Sequence, residues 1–213
     1  MTDRECDVLW KEYFYPGTNV LINNLDIKDR EHLKEIESTF TFERLLELQK
    51  SPIDIGYGKD NLNKIHEYLF EDIYPFAGKY RKVNMLKERG AFLFIDRPEE
   101  IDVALDDLFK ETDEMLMYSH DRMSFCEVLG RLYTGLIYIH PYREGNGRTI
   151  REFVREYSLK KSKELGLGEL ELDWSKIDKE ELNECIEVSH LFPATTSILF
   201  NKALVIKEVN KRF

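Results

Sequence analysis

The chain is short of cysteine, of proline and of long apolar runs, and each shortage excludes something. Only three cysteines occur in 213 residues. Cys6, Cys126 and Cys185 lie far apart and lack CxxC spacing, which argues against a disulfide framework or a cysteine-held zinc and predicts reduced thiols in a cytoplasmic protein. Cys126 and Cys185 both fall within expected helices, a poor setting for a nucleophilic thiol. Prolines number six, and no Pro/Gly/Ser-rich linker, internal repeat or low-complexity tract divides the chain. One domain over residues 1–213 is therefore the simplest organisation. No stretch approaches the ~18 consecutive apolar residues of a membrane span, and the charged opening "MTDRECDVLW" has no apolar signal core. Positive charge is also in deficit, with 31 Lys and Arg against 41 Asp and Glu, a formal net charge of -10. A field of that sign works against nucleic acid and anionic membranes, so any anion site must be a local basic patch.

What is present reads as a soluble, mostly helical protein. Hydrophobic residues make up 42% and charged residues 34%, an ordinary globular balance. Asp29 is a plausible cap for "REHLKEIESTFTFERLLELQK", although "STFTF" alternates in a way helices do not favour. Asp60 is expected to cap "NLNKIHEYLFEDIY", whose Leu62, Ile65, Leu69 and Ile73 form one stripe beside a packing histidine, His66. Tyr80–Leu86 and Ala91–Ile95 read as two short strands about a Glu88-Arg89-Gly90 turn. Pro98 suits the start of a further helix, and Ser124 with Glu127 offers a capping box for "FCEVLGRLYTGLIYI", the most apolar helix of the chain. Later helices are expected at about Thr149 to Lys163, Asp178 to His190 and Thr195 to Lys211, with Trp174 in the core or at a helix start. The fold class is all-α with one hairpin.

The chemistry concentrates in "IHPYREGNGRTIREF", immediately after the apolar helix. Pro141 should end that helix near His140, because the residue before a proline is pushed out of helical dihedrals. Gly145 and Gly147 permit close approach to the backbone, and a new helix follows, so free N–H groups and a positive dipole end face outward. Arg148, Arg151 and Arg155 share one face of it, and arginine forks match phosphate oxygens. Glu144 beside such a cradle makes sense if a Mg2+ sits between carboxylate and phosphate. His140 is suited to accept a proton from a hydroxyl. The sum is a phosphoryl or nucleotidyl transfer site with a general base. No Walker A sequence occurs, nor the HRD and DFG of protein kinases.

"HPYREGNGRTIR" resembles the signature of the Fic family, with Tyr142 in place of the usual phenylalanine. "IHEYLFEDIYPFAGKYRKVN" looks like the family's second landmark, a helix followed by an aromatic-Ala-Gly-x-x-Arg turn into a hairpin flap, and "YPGTNVLINNLDIKD" looks like bacterial members. The resemblance covers about residues 12 to 190, leaving a helical extension at 191–213, and implies an all-α core around a central helix with a β-hairpin flap. It implies transfer of AMP from ATP to a Ser, Thr or Tyr hydroxyl of a target protein, with release of pyrophosphate. His140 would be the base and Glu144 would hold Mg2+. Gly145, Asn146 and Gly147 would cradle the phosphates, with Arg148 on the β-phosphate and Arg151 on the γ-phosphate. The flap, with Asn84, Met85, Leu86, Ala91, Phe92, Leu93 and Phe94, would dock an extended target segment by strand addition. Arg155 stands outside the necessary set and reads as a surface or ion-pair residue.

Many members of that family are restrained by a helix carrying Ser/Thr-x-x-x-Glu followed by Gly or Asn. Thr39 and Glu43 offer the spacing, but Arg44 replaces the small residue, and Ser197 with Asn201 lacks the glutamate. The expectation is an enzyme without a built-in brake, restrained by a separate antitoxin-like protein or not at all. Alternatives are a catalytically idle peptide-binding module that uses the flap, a variant transferring another phosphate-containing group, and a transferase or kinase acting on something other than protein. The intact GNGR argues against the branch of the family that transfers phosphate. A binding module needs neither a base nor a metal carboxylate, so intact His140, Glu144, Asn146 and Arg148 argue against it.

Overall fold

A computed structural model describes residues 9–85, 97–189 and 191–207. In chain order its helices are α1 Arg30–Lys50, α2 Lys59–Phe70, α3 Ile101–Met117, α4 Arg122–Ile139, α5 Asn146–Glu164, α6 Lys179–Val188 and α7 Ala194–Ala203. Two strands, β1 Leu170–Leu172 and β2 Leu204–Ile206, pair antiparallel with Leu170 opposite Ile206 and Leu172 opposite Leu204.

Helix α4 is the centre. It is buried on one stripe at Phe125, Leu129, Leu132, Leu136 and Ile139, and again at Cys126, Val128, Gly130, Tyr133 and Gly135. A helix apolar on nearly every side must be covered on nearly every side. Helices α3, α5 and α7 do so. Gly135 admits α3 at close range, since a Cβ there would stand 2.5 Å from a Leu108 methyl. Serines on α5 finish the small sheet: Ser162 Oγ and Ser158 Oγ accept the N–H groups of Leu170 and Leu172 at 2.9 and 3.0 Å. Cys126 lies inside this core, where burial pushes its thiol up to about 11, and both it and Cys185 are free.

Helix α1 forms over the whole expected span, with Asp29 accepting the His32 N–H at 2.8 Å. Its alternating stretch is helical throughout, and the Thr39 and Thr41 hydroxyls find acceptors within it in the Glu35 and Glu37 carbonyls. Pro98 opens a 3-10 turn, Pro98–Glu100, that leads into α3.

Four expectations need correction. The N-cap of α2 is Gly58, which leaves Asp60 in the first turn. The cap of α4 is Asp121, in a reciprocal box with Ser124, so Ser124 is the inner member and Glu127 takes no part. An earlier start brings Arg122 within reach of the Asn201 side chain and the carbonyls of Asn201 and Leu204. The last helix stops at Ala203, because Leu204-Val205-Ile206 is drawn into pairing with β1. Residues Tyr80–Met85 form no strand, although Arg81 and Val83 point inward while Lys82 and Asn84 point out. Of the expected flap, Asn84 and Met85 are described, and Leu86, Ala91, Phe92, Leu93 and Phe94 lie outside the described residues. Two expected helix ends, His190 and Lys211, lie outside them as well.

Candidate active site

Helices α4 and α5 meet at a turn built by residues from several parts of the chain. His140 caps α4 in the left-handed region, φ 49° and ψ 62°, a conformation that costs a non-glycine residue about 1 kcal/mol or more. Arg81 holds it there. Its buried guanidinium donates to the carbonyls of His140 at 2.8 Å, Ile139 at 3.3 Å and Val83 at 2.6 Å. The Arg81 backbone N–H adds a bond to Pro141 O at 2.8 Å. These contacts satisfy carbonyls that the helix end leaves without intrahelical partners.

The next residues close on themselves. Asn146 accepts the Tyr142 N–H at 2.9 Å and donates to the Tyr142 carbonyl at 2.7 Å, so its buried amide is a clamp across the turn. Tyr142 is wholly buried, stacked 3.8 Å from the His66 ring, with its hydroxyl on Asn63 at 2.7 Å. His66 takes the Gly78 N–H on Nδ1 at 2.8 Å, which leaves the proton on Nε2 for the Glu144 carbonyl at 3.0 Å. Burial pulls His66 down to about 4, so it is a neutral ring fixing the loop. Gly145 has φ 80°, and a Cβ there would stand 2.3 Å from Phe70 Cζ. Only glycine fits that position.

This turn delivers α5 with no side-chain cap on its N-terminus among the described residues. The first intrahelical bond runs from Thr149 N to Gly145 O at 3.1 Å, so the N–H groups of Asn146, Gly147 and Arg148 precede it. Uncapped N–H groups and the positive dipole end favour an anion. Arg148 and Arg151 follow, both partly exposed, and Glu144 stands at the rim with its side chain 44% exposed. Glu144 accepts the Gly145 N–H at 3.0 Å and lies 3.9 Å from Arg148. The Arg151 carbonyl receives the Trp174 indole N–H at 2.9 Å. Its positive charge pulls on the Tyr133 hydroxyl, which burial nevertheless pushes up to about 12.

Thus His140, Glu144, Gly145, Asn146, Gly147, Arg148 and Arg151 come together at one helix-to-helix turn. Arg155 is the buried ion-pair residue of its helix, held by Glu152 at 2.6 and 2.9 Å and by Glu171. Residues with no local signal complete the site: Glu37, His66, Phe70 and the role of Arg81. Arg143 is another, buried over the rings of Trp10 at 4.3 Å, Phe14 at 5.2 Å and Tyr13 at 5.5 Å, so that an N-terminal segment is tied to the loop. Among the described residues no group of three or more His, Cys, Asp or Glu side chains is placed to hold a metal. A single rim carboxylate suits a Mg2+ that arrives on phosphate oxygens.

An uncapped helix N-terminus with two arginines, a closed glycine turn and a histidine on the facing helix end make an arrangement suited to an anion. The profile of the Fic/DOC family matches residues 56–157. Protein adenylyltransferase VbhT of Bartonella schoenbuchensis is 31% identical over 94% of this chain, which spans 40% of that longer protein. Probable protein adenylyltransferase y4lH of Sinorhizobium fredii is 31% identical over 66% of the chain and 71% of its own length. Among solved structures, an N-terminal Fic domain of a Bartonella quintana effector with bound ADP superposes with TM-score 0.77 at 23% identity, covering 92% of this chain and 96% of that one. BepC of Bartonella tribocorum with bound AMPPNP superposes with TM-score 0.75 at 22% identity, covering 93% and 98%. This chain belongs to the Fic/DOC family. Within the described residues no helix is long and apolar enough to cross a membrane.

Proposed function

We propose that the chain is a protein adenylyltransferase, transferring AMP from ATP to a hydroxyl side chain of a target protein. The observation that carries this is the intact turn between α4 and α5, with His140 at one lip and the uncapped α5 N-terminus at the other. The target oxygen attacks the α-phosphorus, His140 takes the hydroxyl proton, and the bond from that phosphorus to the bridging oxygen breaks as pyrophosphate leaves. The backbone N–H groups from Asn146 to Arg148 receive phosphate oxygens, with Arg148 on the β-phosphate and Arg151 on the γ-phosphate, so positive groups meet the charge that departs. Asn146 contributes by fixing the turn. Glu144 would hold a Mg2+, which supplies neutralisation of phosphate charge when bound. Two curated relatives bear adenylyltransferase names, and two solved relatives hold ADP and AMPPNP, which supports ATP as the donor.

The target docks, in this reading, along the segment from Asn84 to Phe94 by strand addition. The chain carries no brake of its own in this reading, and is restrained by a separate antitoxin-like protein or not at all; Glu43 exposed on α1 and Asn201 engaged by Arg122 support this. Mass spectrometry of a bacterial lysate treated with the protein, ATP and Mg2+ tests the reading. Peptides bearing AMP on Ser, Thr or Tyr, absent with His140→Ala, are the expected result. Peptides bearing only phosphate would overturn it.

A further inference from the structure

The first signature arginine is held from outside the signature. Arg148 lies over the Phe70 ring of α2 at 4.9 Å and donates from Nη1 to Thr41 Oγ1 at 3.1 Å. Its Nη2 donates to the Glu37 carboxylate, and both Glu37 and Thr41 stand on α1, one turn apart. Glu37 is itself anchored, because its other oxygen accepts the Tyr74 hydroxyl and its side chain is only 13% exposed. The Thr41 hydroxyl gives its hydrogen to the Glu37 carbonyl at 2.7 Å, which leaves an oxygen lone pair facing the arginine. Two helices from outside the signature therefore converge on one guanidinium, and Tyr74 braces the carboxylate that meets it.

A carboxylate on a phosphate-binding arginine either competes with the phosphate or orients the fork that receives it. The geometry points to orientation. Glu37 and Thr41 each take one N–H of a guanidinium that presents five, so donors remain for an anion on the other edge. Tyr74 pins the carboxylate, and Arg148 keeps 24% of its side chain exposed. An arginine already ordered gives up less freedom when ligand binds. We infer that Glu37, supported by Thr41 and Tyr74, is a positioning residue that presets Arg148 for the second phosphate of the nucleotide. This inference rests on the reading of the α5 N-terminus as the phosphate site.

Calorimetric binding of ADP and of AMP, each with Mg2+, tests it on the full chain and on Glu37→Ala, Glu37→Gln, Arg148→Ala and the Glu37→Ala/Arg148→Ala double variant. Glu37→Ala should weaken ADP binding about five- to tenfold and leave AMP within about twofold, since only ADP carries the phosphate Arg148 meets. Glu37→Gln, which keeps an acceptor at the same reach, should recover most of the loss. Glu37→Ala should add nothing in the Arg148→Ala background. Equal weakening of ADP and AMP would mean a general structural role, and tighter ADP binding would mean competition; either overturns the positioning role alone. If the unsubstituted chain binds ADP no better than AMP, or Arg148→Ala leaves ADP binding unchanged, the phosphate assignment fails and the inference with it. Should Glu37→Ala not fold, Tyr74→Phe removes the anchor instead, and ADP binding weakened selectively against AMP remains the required result.

Discussion

Helix α5 carries arginine both in its first two turns and in its middle, and the two regions use it in opposite ways. Over the first two turns Arg148 and Arg151 are partly exposed, near uncapped N–H groups. One turn beyond Arg151, Arg155 is 5% exposed, bidentate to Glu152 and bonded to Glu171 from β1. The middle region holds more acid than one guanidinium can neutralise, since Glu156 lies at 3.9 Å as well. Burial and the facing Glu152 carboxylate push Glu156 well above the ordinary carboxylate range. Whether a cation is available to a ligand is thus decided by the acid supplied from other elements, not by residue type or spacing.

That contrast can be broken at several points. The largest effect is expected from Arg155→Met, which leaves Glu152 and Glu156 without their cation and Glu171 with Lys207 at 4.0 Å, and should cost about 3–5 kcal/mol in urea unfolding. Nucleotide affinity of the protein that remains folded should stay within about twofold, because Arg155 faces no ligand in this account. Gly145→Ala comes next. The added methyl meets Phe70 at a positive φ, and about 2–4 kcal/mol of stability should be lost, read by thermal or urea melting. Arg151→Ala inverts the pattern seen with Arg155, with stability changed by less than about 1 kcal/mol and ATP affinity reduced about tenfold in a calorimetric titration.

The mildest test is one of pH. The folded protein keeps the Glu156 proton where the unfolded chain has lost it, so this group's contribution is full below the ordinary carboxylate pKa. It declines as pH rises toward the elevated native value, with a slope of at most ~1.4 kcal/mol per pH unit. Urea midpoints should therefore fall between pH 5 and 8, and Glu156→Gln should flatten that decline. A midpoint equally steep in the Gln variant would assign the effect elsewhere.

Much of this architecture is legible in the chain itself. The apolar run from Phe125 to Ile139 can only be a central helix, and His140-Pro141 ends it where the structure does. The seven residues of the turn fall within the twelve positions from His140 to Arg151, so their chemistry declares itself. Their supports do not. Arg81, His66, Phe70 and Glu37 reach the turn from 59 to 111 positions away, where one carboxylate among 41 acidic residues carries no local mark. Where local signals compete, tertiary contacts decide. Asp121-x-x-Ser124 and Ser124-x-x-Glu127 are both capping patterns, and the contacts of Arg122 with Asn201 and Leu204 accompany the earlier one. Leu204–Ile206 continues a helical pattern until β1 provides a partner. Arg155, read as a surface or ion-pair residue, is an ion-pair residue but not a surface one, and one of its partners is Glu171, a strand residue no helical pattern includes.

The central claim is that this turn moves AMP and uses His140 to do so. The most direct measurement counts label on protein after incubation with ATP carrying radiophosphorus at the α position and, in parallel, at the γ position, for the unsubstituted chain and for His140→Ala. The account predicts label from the α position alone, reduced at least ~100-fold by His140→Ala. Label retained from the γ position, or α label that His140→Ala leaves intact, would contradict it.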